Sequence, residues 1–164
     1  MAQEGPITVD IADGIMLLTL YRPSAMNAFT GEMKDALVAA LDEADANDAV
    51  RAVIFTGDGD RAYCAAADLS SGGDTFDYDK RAGQGDSPIL ADGSVDWSHP
   101  LVRDSGGALT TRIFAAKKPV IGAINGAAVG IGVTMTLAMD WRIAADTARF
   151  GFVFAPRGLV PQAA

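Results

Sequence analysis

Apolar runs near the start of the chain predict a hairpin and then an amphipathic helix. The runs ITVDI and GIMLLTL flank Asp13 and Gly14, and an Asp-Gly pair in that position predicts a β-hairpin. Pro23 then takes the chain out of the sheet, and Thr30 is a suitable N-cap for a helix that ends near Ala46. Apolar residues recur at helical spacing on one face of this helix: Met33, Leu37, Leu41 and Ala44.

The middle of the chain predicts a buried strand followed by long loops. Residues 50–57, VRAVIFTG, form a short apolar run that is typical of a buried strand. The following GDGDRAYCAAADL, at 57–69, is interpreted as a loop. Residues 70–96 are rich in Gly, Asp and Ser and show little periodicity. A loop of this length within a domain is either functional or mobile.

The last third of the chain alternates strand and helix patterns. A helix is expected from about Leu101 to Ala116, followed by the strand PVIGAIN. A glycine turn, an apolar helix to Asp140, and strands near WRIAAD and RFGFVF come next. Alternation of apolar strands with helices predicts an α/β fold, and the length of 164 residues predicts one domain over 1–164.

Composition and charge exclude several functional classes. The hydrophobic share of 49% is enough for a core, and the formal net charge of -8 argues against nucleic acid as a partner. Cys64 is the single cysteine, so an intrachain disulfide is impossible and a reducing compartment fits. The start of the chain lacks the pattern of a signal peptide, and no apolar run reaches the roughly 18 residues of a membrane span. A cytoplasmic protein without metal or membrane association is therefore expected.

Two loops of small residues are candidate binding sites. Ala65, Ala66 and Ala67 would let a ligand approach the main chain, and the adjoining Asp68 suits a helix N-cap. The glycine turn, Gly126 to Gly132, would leave backbone N–H groups uncovered at a helix start, where they could hold an anion or a developing oxyanion. Both loops have a purely structural interpretation as well, because tight packing of strand on helix also needs small residues.

The glycine turn also permits a second interpretation. Its Gly126, Gly130 and Gly132 follow a strand with the spacing found in short-chain dehydrogenases, and Asp146 lies where a ribose-binding acid would be. The pattern lies late in the chain, however, and too little sequence follows it for a catalytic half. None of the tyrosines has a lysine four residues later. The dehydrogenase interpretation is therefore disfavoured.

Four blocks in order carry a resemblance to a known family. They are YRPSAMNAF, GDRAYCAAADL, KKPVIGAINGAAVGIG and DWRIAADTARFGF. Together they resemble the enoyl-CoA hydratase/isomerase family, the crotonases, over nearly the whole chain. The resemblance implies a spiral of ββα repeats, an acyl-CoA thioester substrate, and fatty-acid metabolism. It implies no cofactor, since coenzyme A is part of the substrate.

The resemblance also implies roles for the two loops. The backbone N–H groups of Ala67 and Ile131 would form an oxyanion hole for the thioester oxygen. Ala66 and Ile131 occupy positions where the family usually has glycine, so their side chains would narrow the pocket or demand a different backbone angle. Further substrate contacts are expected from the matching positions in and near the loops: Ala25, Ala65, Ala66, Asp68, Leu69 and Gly130.

The acid–base positions of the family are occupied by residues of other chemistry. The two glutamates of a hydratase correspond to Thr134 and Phe154, which cannot transfer a proton near neutral pH. The later glutamate of an isomerase branch corresponds to Gln162, which has the shape of a glutamate but cannot carry the proton that the reaction transfers. Two hypotheses stay open: an enzyme of this family with another carboxylate at the pocket, or a degenerate homologue that binds CoA thioesters without catalysis.

The final segment, GLVPQAA, follows a turn without a closing helix or strand. The chain is therefore interpreted as a fragment without the helical C-terminal part that builds trimers and hexamers in the family. Loss of that part would uncover apolar surface and favour association. A homo-oligomer or a poorly soluble chain is expected.

Overall fold

The protein has a mixed α/β fold, as its sequence predicts. The computed structural model describes residues 5–70, 87–97, 99, 102 and 104–158. These contain strands β1 (Ile7–Ala12), β2 (Ile15–Leu20), β3 (Ala52–Gly57), β4 (Ala62–Ala65), β5 (Val120–Ile124), β6 (Ala127–Val129), β7 (Trp141–Ala144) and β8 (Arg149–Gly151). The helices are α1 (Gly31–Ala46), α2 (Ser105–Phe114) and α3 (Ile131–Leu137).

The hairpin at the start of the chain is confirmed. Strands β1 and β2 pair antiparallel, with Ala12 opposite Ile15. Asp13 and Gly14 form the two-residue turn with φ angles of 52° and 83°. Left-handed angles at both positions match the twist of the flanking strands, and Asp and Gly tolerate them better than most residues do.

Helix α1 begins and ends where its sequence predicts. The side chain of Thr30 accepts a hydrogen bond from the Met33 backbone N–H at 3.1 Å, which satisfies one of the free donors of the first turn. The helix ends at Ala46. Its buried face consists of Met33, Leu37, Ala40, Leu41 and Ala44.

Two sheets form the framework. From β3 onwards, successive strands along the chain lie alternately in one sheet and in the other. The larger sheet has the order β1-β2-β3-β5-β7, and the smaller one has the order β4-β6-β8. All pairings after the hairpin are parallel. The chain thus repeats one pattern, in which a strand of the large sheet is followed by a strand of the small sheet. Helix α3 completes such a ββα unit after β5 and β6.

The small sheet is the part of the framework that the sequence does not predict. The segment interpreted as a loop at 57–69 contains β4, and the segment interpreted as a glycine turn contains β6. Both strands are only three or four residues long and consist largely of Ala, so neither has the apolar period of a strand. Gly126 lies at the corner before β6, where a Cβ would come within 2.6 Å of the Arg61 carbonyl carbon.

The helices of the last third are shorter than predicted. Helix α2 begins at Ser105 rather than near Leu101, because Asp104 is its N-cap and accepts from the Gly107 N–H at 2.8 Å. Helix α3 ends at Leu137 rather than Asp140. Strands β7 and β8 confirm the predicted strands near WRIAAD and RFGFVF. Of the long loop at 70–96, positions 71–86 lie outside the described residues.

The hydrophobic core lies between the large sheet, the small sheet and the three helices. It includes residues of all these elements: Met16, Leu18, Leu20, Leu37, Leu41, Val53, Phe55, Tyr63, Leu109, Ile113, Val120, Ile124, Ile131 and Met135. The first candidate loop begins at the end of β4, and the second ends at the start of α3. Both elements contribute to this core, which therefore fixes one end of each loop.

Candidate functional site

One side of the candidate site is formed by the segment YRPSAMNAF, which a cluster of polar contacts holds in place. After a single 3-10 turn at Pro23–Ala25, the side chain of Asn27 is buried and fully bonded. Its Oδ1 accepts from the Arg22 N–H at 3.0 Å, and its Nδ2 donates to the carbonyls of Asp58 and Ala62. Because a buried amide without partners is costly, these bonds fix the segment against the start of β4.

Two backbone hydrogen bonds hold the small-residue loop against this segment. The N–H of Phe29 donates to the carbonyl of Ala66 at 2.9 Å, and the N–H of Asp68 donates to the carbonyl of Phe29 at 2.8 Å. Ala67 lies between these bonds, in an isolated parallel bridge with Phe29. No acceptor for the Ala67 N–H is found among the described residues.

The remaining positions expected to contact substrate lie around the same loop. Ala65 donates its N–H to the Met26 carbonyl at 3.1 Å, which brings the 3-10 turn that ends at Ala25 beside β4. Ala25 and Ala65 are partly exposed, and Leu69 is exposed. The structure therefore gathers these positions on one side of the molecule, and their contacts with a substrate stay a prediction.

Ala66 has a backbone conformation that favours glycine. Its φ angle is +76°, in the left-handed region, which costs an L-residue roughly 1–2 kcal/mol. The sequence predicts that a side chain at this position narrows the pocket or demands a different backbone angle, and the structure shows the unusual backbone angle.

The second loop exposes the first turn of α3. Gly130, with φ 55° and ψ −123°, is the N-cap residue, and its carbonyl accepts from the N–H groups of Val133 and Thr134 at 3.0 Å each. Its own N–H donates to the Gly151 carbonyl at 2.9 Å. For the N–H of Ile131, no acceptor occurs within the described part of the chain. A free donor at a helix start is suited to a partly negative oxygen.

The two loops contact each other. A Cβ built on Gly130 would lie 3.3 Å from the Ala66 Cβ, and one built on Gly132 would lie 2.1 Å from the Cys64 carbonyl oxygen. The start of α3 therefore packs directly on the end of β4. Ala66 and Gly130 lie next to each other, and the residues that follow them in the chain are Ala67 and Ile131, respectively.

The side chain of Ile131 does not line the surface of the loop. It is 1% exposed, belongs to the core, and contacts α2 at Gly106. The core between α2 and α3 accommodates this side chain, and its effect on the width of a pocket stays a prediction.

Asp68 is fixed in its ionised form beside the loop. Its Oδ1 accepts from the Ser70 N–H at 2.9 Å, and its Oδ2 accepts from the Arg22 guanidinium at 2.7 Å. The backbone N–H of Ser70, then its hydroxyl, then Arg22 lower the pKa of Asp68 to about 2. Its expected role as a helix N-cap concerns positions within 71–86, outside the described residues, and stays a prediction.

The three acid–base positions supply no carboxylate. Thr134 is 3% exposed and its Oγ1 donates to the Gly130 carbonyl at 3.3 Å, while Phe154 is 6% exposed. Gln162 lies outside the described residues. Cys64 beside the loop is buried, and burial raises the pKa of its thiol to about 12, which disfavours the nucleophilic thiolate.

The dehydrogenase interpretation loses its structural basis. A dinucleotide fingerprint needs its glycines in one turn that joins a strand to a helix. Here Gly126 precedes β6, and that strand separates it from Gly130 at the start of α3. The described ranges also contain no group of three His, Cys, Asp or Glu side chains that could hold a metal ion. No helix in the described portion is long and apolar enough to cross a membrane.

Comparison with known proteins gives a consistent result. The family model described as enoyl-CoA hydratase/isomerase matches residues 15–164. The chain is 39% identical to an enoyl-CoA hydratase of Alternaria alternata over 93% of its own length and 45% of that protein. It is 36% identical to a 1,2-epoxyphenylacetyl-CoA isomerase of Escherichia coli, over 93% of this chain and 52% of that protein.

A solved structure agrees with the sequence relatives. The enoyl-CoA hydratase from Mycobacterium avium subsp. paratuberculosis superimposes with a TM-score of 0.73 at 25% identity, over 99% of this chain and 56% of that one. The chain thus spans about half the length of the relatives it matches.

Proposed function

Because this chain belongs to the enoyl-CoA hydratase/isomerase family, we propose that it binds an acyl-CoA thioester and stabilises the enolate of that thioester. The N–H groups of Ala67 and Ile131 hold the thioester oxygen. The observation that carries the proposal is the contact of Ala66 with Gly130. It brings together two loops that each have, within the described structure, at least one backbone N–H without an acceptor.

The chemistry of the proposal needs fixed donors rather than a charged side chain. Removal of a proton next to a thioester carbonyl puts negative charge on its oxygen. Donors that are already oriented stabilise this charge without reorganisation, and loss of one such donor commonly costs about 10²–10³ in rate. The N–H of Ala67 is held by the bonds of its neighbours to Phe29, and the N–H of Ile131 by the first turn of α3.

The coenzyme part of the substrate is assigned to the surface around the first loop. Ala25, Ala65 and Ala66 have small side chains, which lets a ligand reach main-chain polar groups. The Asp68 carboxylate is already engaged by Ser70 and Arg22, so we assign the contact of Asp68 with the coenzyme to its main chain.

Formation of the enolate itself needs a base, which takes the proton next to the carbonyl or activates water. The usual positions do not supply that base, so catalysis requires another carboxylate at the pocket. Thr134 and Phe154 exclude the two-glutamate mechanism at those positions. Relatives of the chain include both hydratases and an isomerase, and both reactions begin with a polarised thioester. The alternative function, binding without catalysis, is favoured by the same two side chains.

We also propose a homo-oligomer, as trimers or hexamers of the family suggest, in cytoplasmic fatty-acid metabolism. Large apolar side chains of β7 and the β8 region support association, because they are between half and three quarters exposed: Trp141, Ile143, Phe150 and Phe152. Light scattering of the purified chain tests this part, and a monodisperse monomer would contradict it.

Calorimetric titration with butyryl-CoA, and with the thioether analogue in which a CH2 group replaces the carbonyl, tests the oxyanion hole. Binding of the thioester is expected to be roughly thirtyfold tighter, the value of two hydrogen bonds of about 1 kcal/mol each. Equal affinities would contradict the oxyanion hole, and absence of binding to either would contradict CoA recognition.

A second experiment separates enolate formation from binding alone. Butyryl-CoA is incubated with the protein in D2O, and deuterium at the carbon next to the carbonyl is measured by mass spectrometry. Incorporation supports the enolate proposal. Tight binding without incorporation would support the alternative of binding without catalysis.

A further inference from the structure

Gly106 and Ile131 form a complementary pair between α2 and α3. A Cβ built on Gly106 would lie 2.6 Å from the Ile131 Cδ1 and 3.2 Å from its Cγ1, and 3.0 Å from Oδ1 of Asp104, the N-cap of α2. Both residues are buried, and Ile131 is 1% exposed. The first residue of α3 therefore places its side chain in space that exists only because Gly106 has none.

Gly106 is unusual for its local structure, and Ile131 has a stiff side chain. Glycine is a poor helix former, yet Gly106 is the second residue of α2. The side on which its Cβ would lie faces a core side chain rather than solvent. Ile131 is β-branched and stiff at its first side-chain torsion, so its backbone and side chain move together. Because Ile131 is 1% exposed, its Cδ1 has little room in the core to turn away from a Cβ at position 106, so the conflict would shift the residue and its N–H.

We propose that Gly106 is a positioning residue for the Ile131 N–H. By leaving room for the Ile131 side chain in the core, it allows α3 to begin with a branched residue while that residue's N–H keeps the position proposed for contact with the thioester oxygen. The inference rests on the proposed function of these two N–H groups. It assigns to α2 a part in recognition of the thioester oxygen.

The test measures the affinity ratio of butyryl-CoA to its thioether analogue, because only the thioester carbonyl reports on the N–H groups. Calorimetry is done on the full chain. Gly106→Ala is expected to reduce the preference for the thioester severalfold, while the affinity for the thioether changes less than twofold. Thr111→Ala, an exposed position on α2, is the matched control and should keep the wild-type ratio.

A compensating variant separates positioning from general damage. Ile131→Val removes Cδ1, the atom nearest to a Cβ at position 106. The double variant Gly106→Ala, Ile131→Val should therefore recover the preference for the thioester. If the single variant does not fold, the double variant is compared directly with the wild type, and its folding with an intact ratio supports the pair.

Several outcomes would overturn the inference. One is a Gly106→Ala chain with the wild-type ratio, and another is a double variant that does not recover the ratio or does not fold. A loss of affinity for thioester and thioether alike would reveal only a structural role for the glycine. A wild-type chain without preference would reject the proposed oxyanion hole itself, and the positioning role with it.

Discussion

The two candidate loops present similar N–H groups, but different forces hold them. The loop around Ala67 is fixed by polar bonds, through the backbone of Phe29 and the ion pair of Asp68 with Arg22. The loop around Ile131 is fixed by close packing on β4 and α2. The Ala67 N–H therefore depends on charge and backbone angle, whereas the Ile131 N–H depends on the absence of side-chain atoms at neighbouring glycines.

The largest effect is expected at the packed loop, from Gly132→Ala. Its Cβ would lie 2.1 Å from the Cys64 carbonyl oxygen, so β4 and α3 must separate. Overpacking of this kind costs about 1–3 kcal/mol, and the rigid backbone partner places this variant near 3 kcal/mol. Urea unfolding measures the loss.

Gly31→Ala is the matched control for that variant. It adds the same methyl group in the first turn of α1, where nothing lies within 4 Å. It should leave the free energy of unfolding unchanged or slightly raised, because alanine is the better helix former. An equal loss in both variants would show that packing on Cys64 is not what makes Gly132 necessary.

A smaller loss is expected from Gly130→Ala. The φ of 55° and ψ of −123° lie in a region that L-residues avoid, and the new methyl group would also meet Ala66 at 3.3 Å. Strain of this kind costs about 1–3 kcal/mol. The urea midpoint should fall, and the preference for thioester over thioether should fall with it.

Gly59→Ala distinguishes the contribution of contact from that of backbone angle. Gly59 also has a positive φ, of 76°, but nothing lies within 4 Å of its Cβ position. Its substitution should cost less stability than Gly130→Ala and should leave ligand binding unchanged. A Gly59→Ala chain that loses the thioester preference would contradict the assignment of the site to the two loops.

The sequence predicts the framework of this site better than its contacts. The apolar runs of α1 and of the large sheet are long enough to show a regular hydrophobic pattern, so the sequence predicts these elements. Strands β4 and β6 are not predicted, because three or four mostly small residues show no hydrophobic pattern. The pairing of these two strands is what brings the loops together. The conformation of Ala66 could be suspected only from the resemblance, where glycine is usual. The pairing of Ile131 with Gly106 depends on tertiary packing and has no local signal.

At the polar loop, the expected effect is a dependence on pH. The pKa of Asp68 is lowered to about 2 from 3.8, chiefly by Ser70 and then by Arg22. A lowered folded-state pKa means that the carboxylate stabilises the fold above about pH 5 and loses this contribution as the pH falls through 3.8 towards 2. For a partly exposed group the contribution is about 1 kcal/mol after screening.

Asp68→Asn isolates this contribution. The difference in free energy of unfolding between the wild type and the variant should be largest at pH 6 and should shrink at pH 3. Asp10→Asn, on the exposed face of β1, serves as the control for loss of one negative charge. A difference for Asp68→Asn that stays constant with pH would mean that the charge of this carboxylate, with its bonds to Ser70 and Arg22, does not hold the loop.

The smallest effect is expected from Ala66→Gly, which gives the polar loop the same kind of residue as the packed one. Removal of the methyl group relieves the strain of φ +76°, but the more flexible unfolded chain offsets part of the gain. The free energy of unfolding should rise by between zero and about 1 kcal/mol. The neighbouring Ala67→Gly has no such strain to relieve and should lower it by about 0.5–1 kcal/mol. Equal losses in the two variants, measured by urea unfolding, would show that Ala66 is not strained and that the two loops differ less than their contacts suggest.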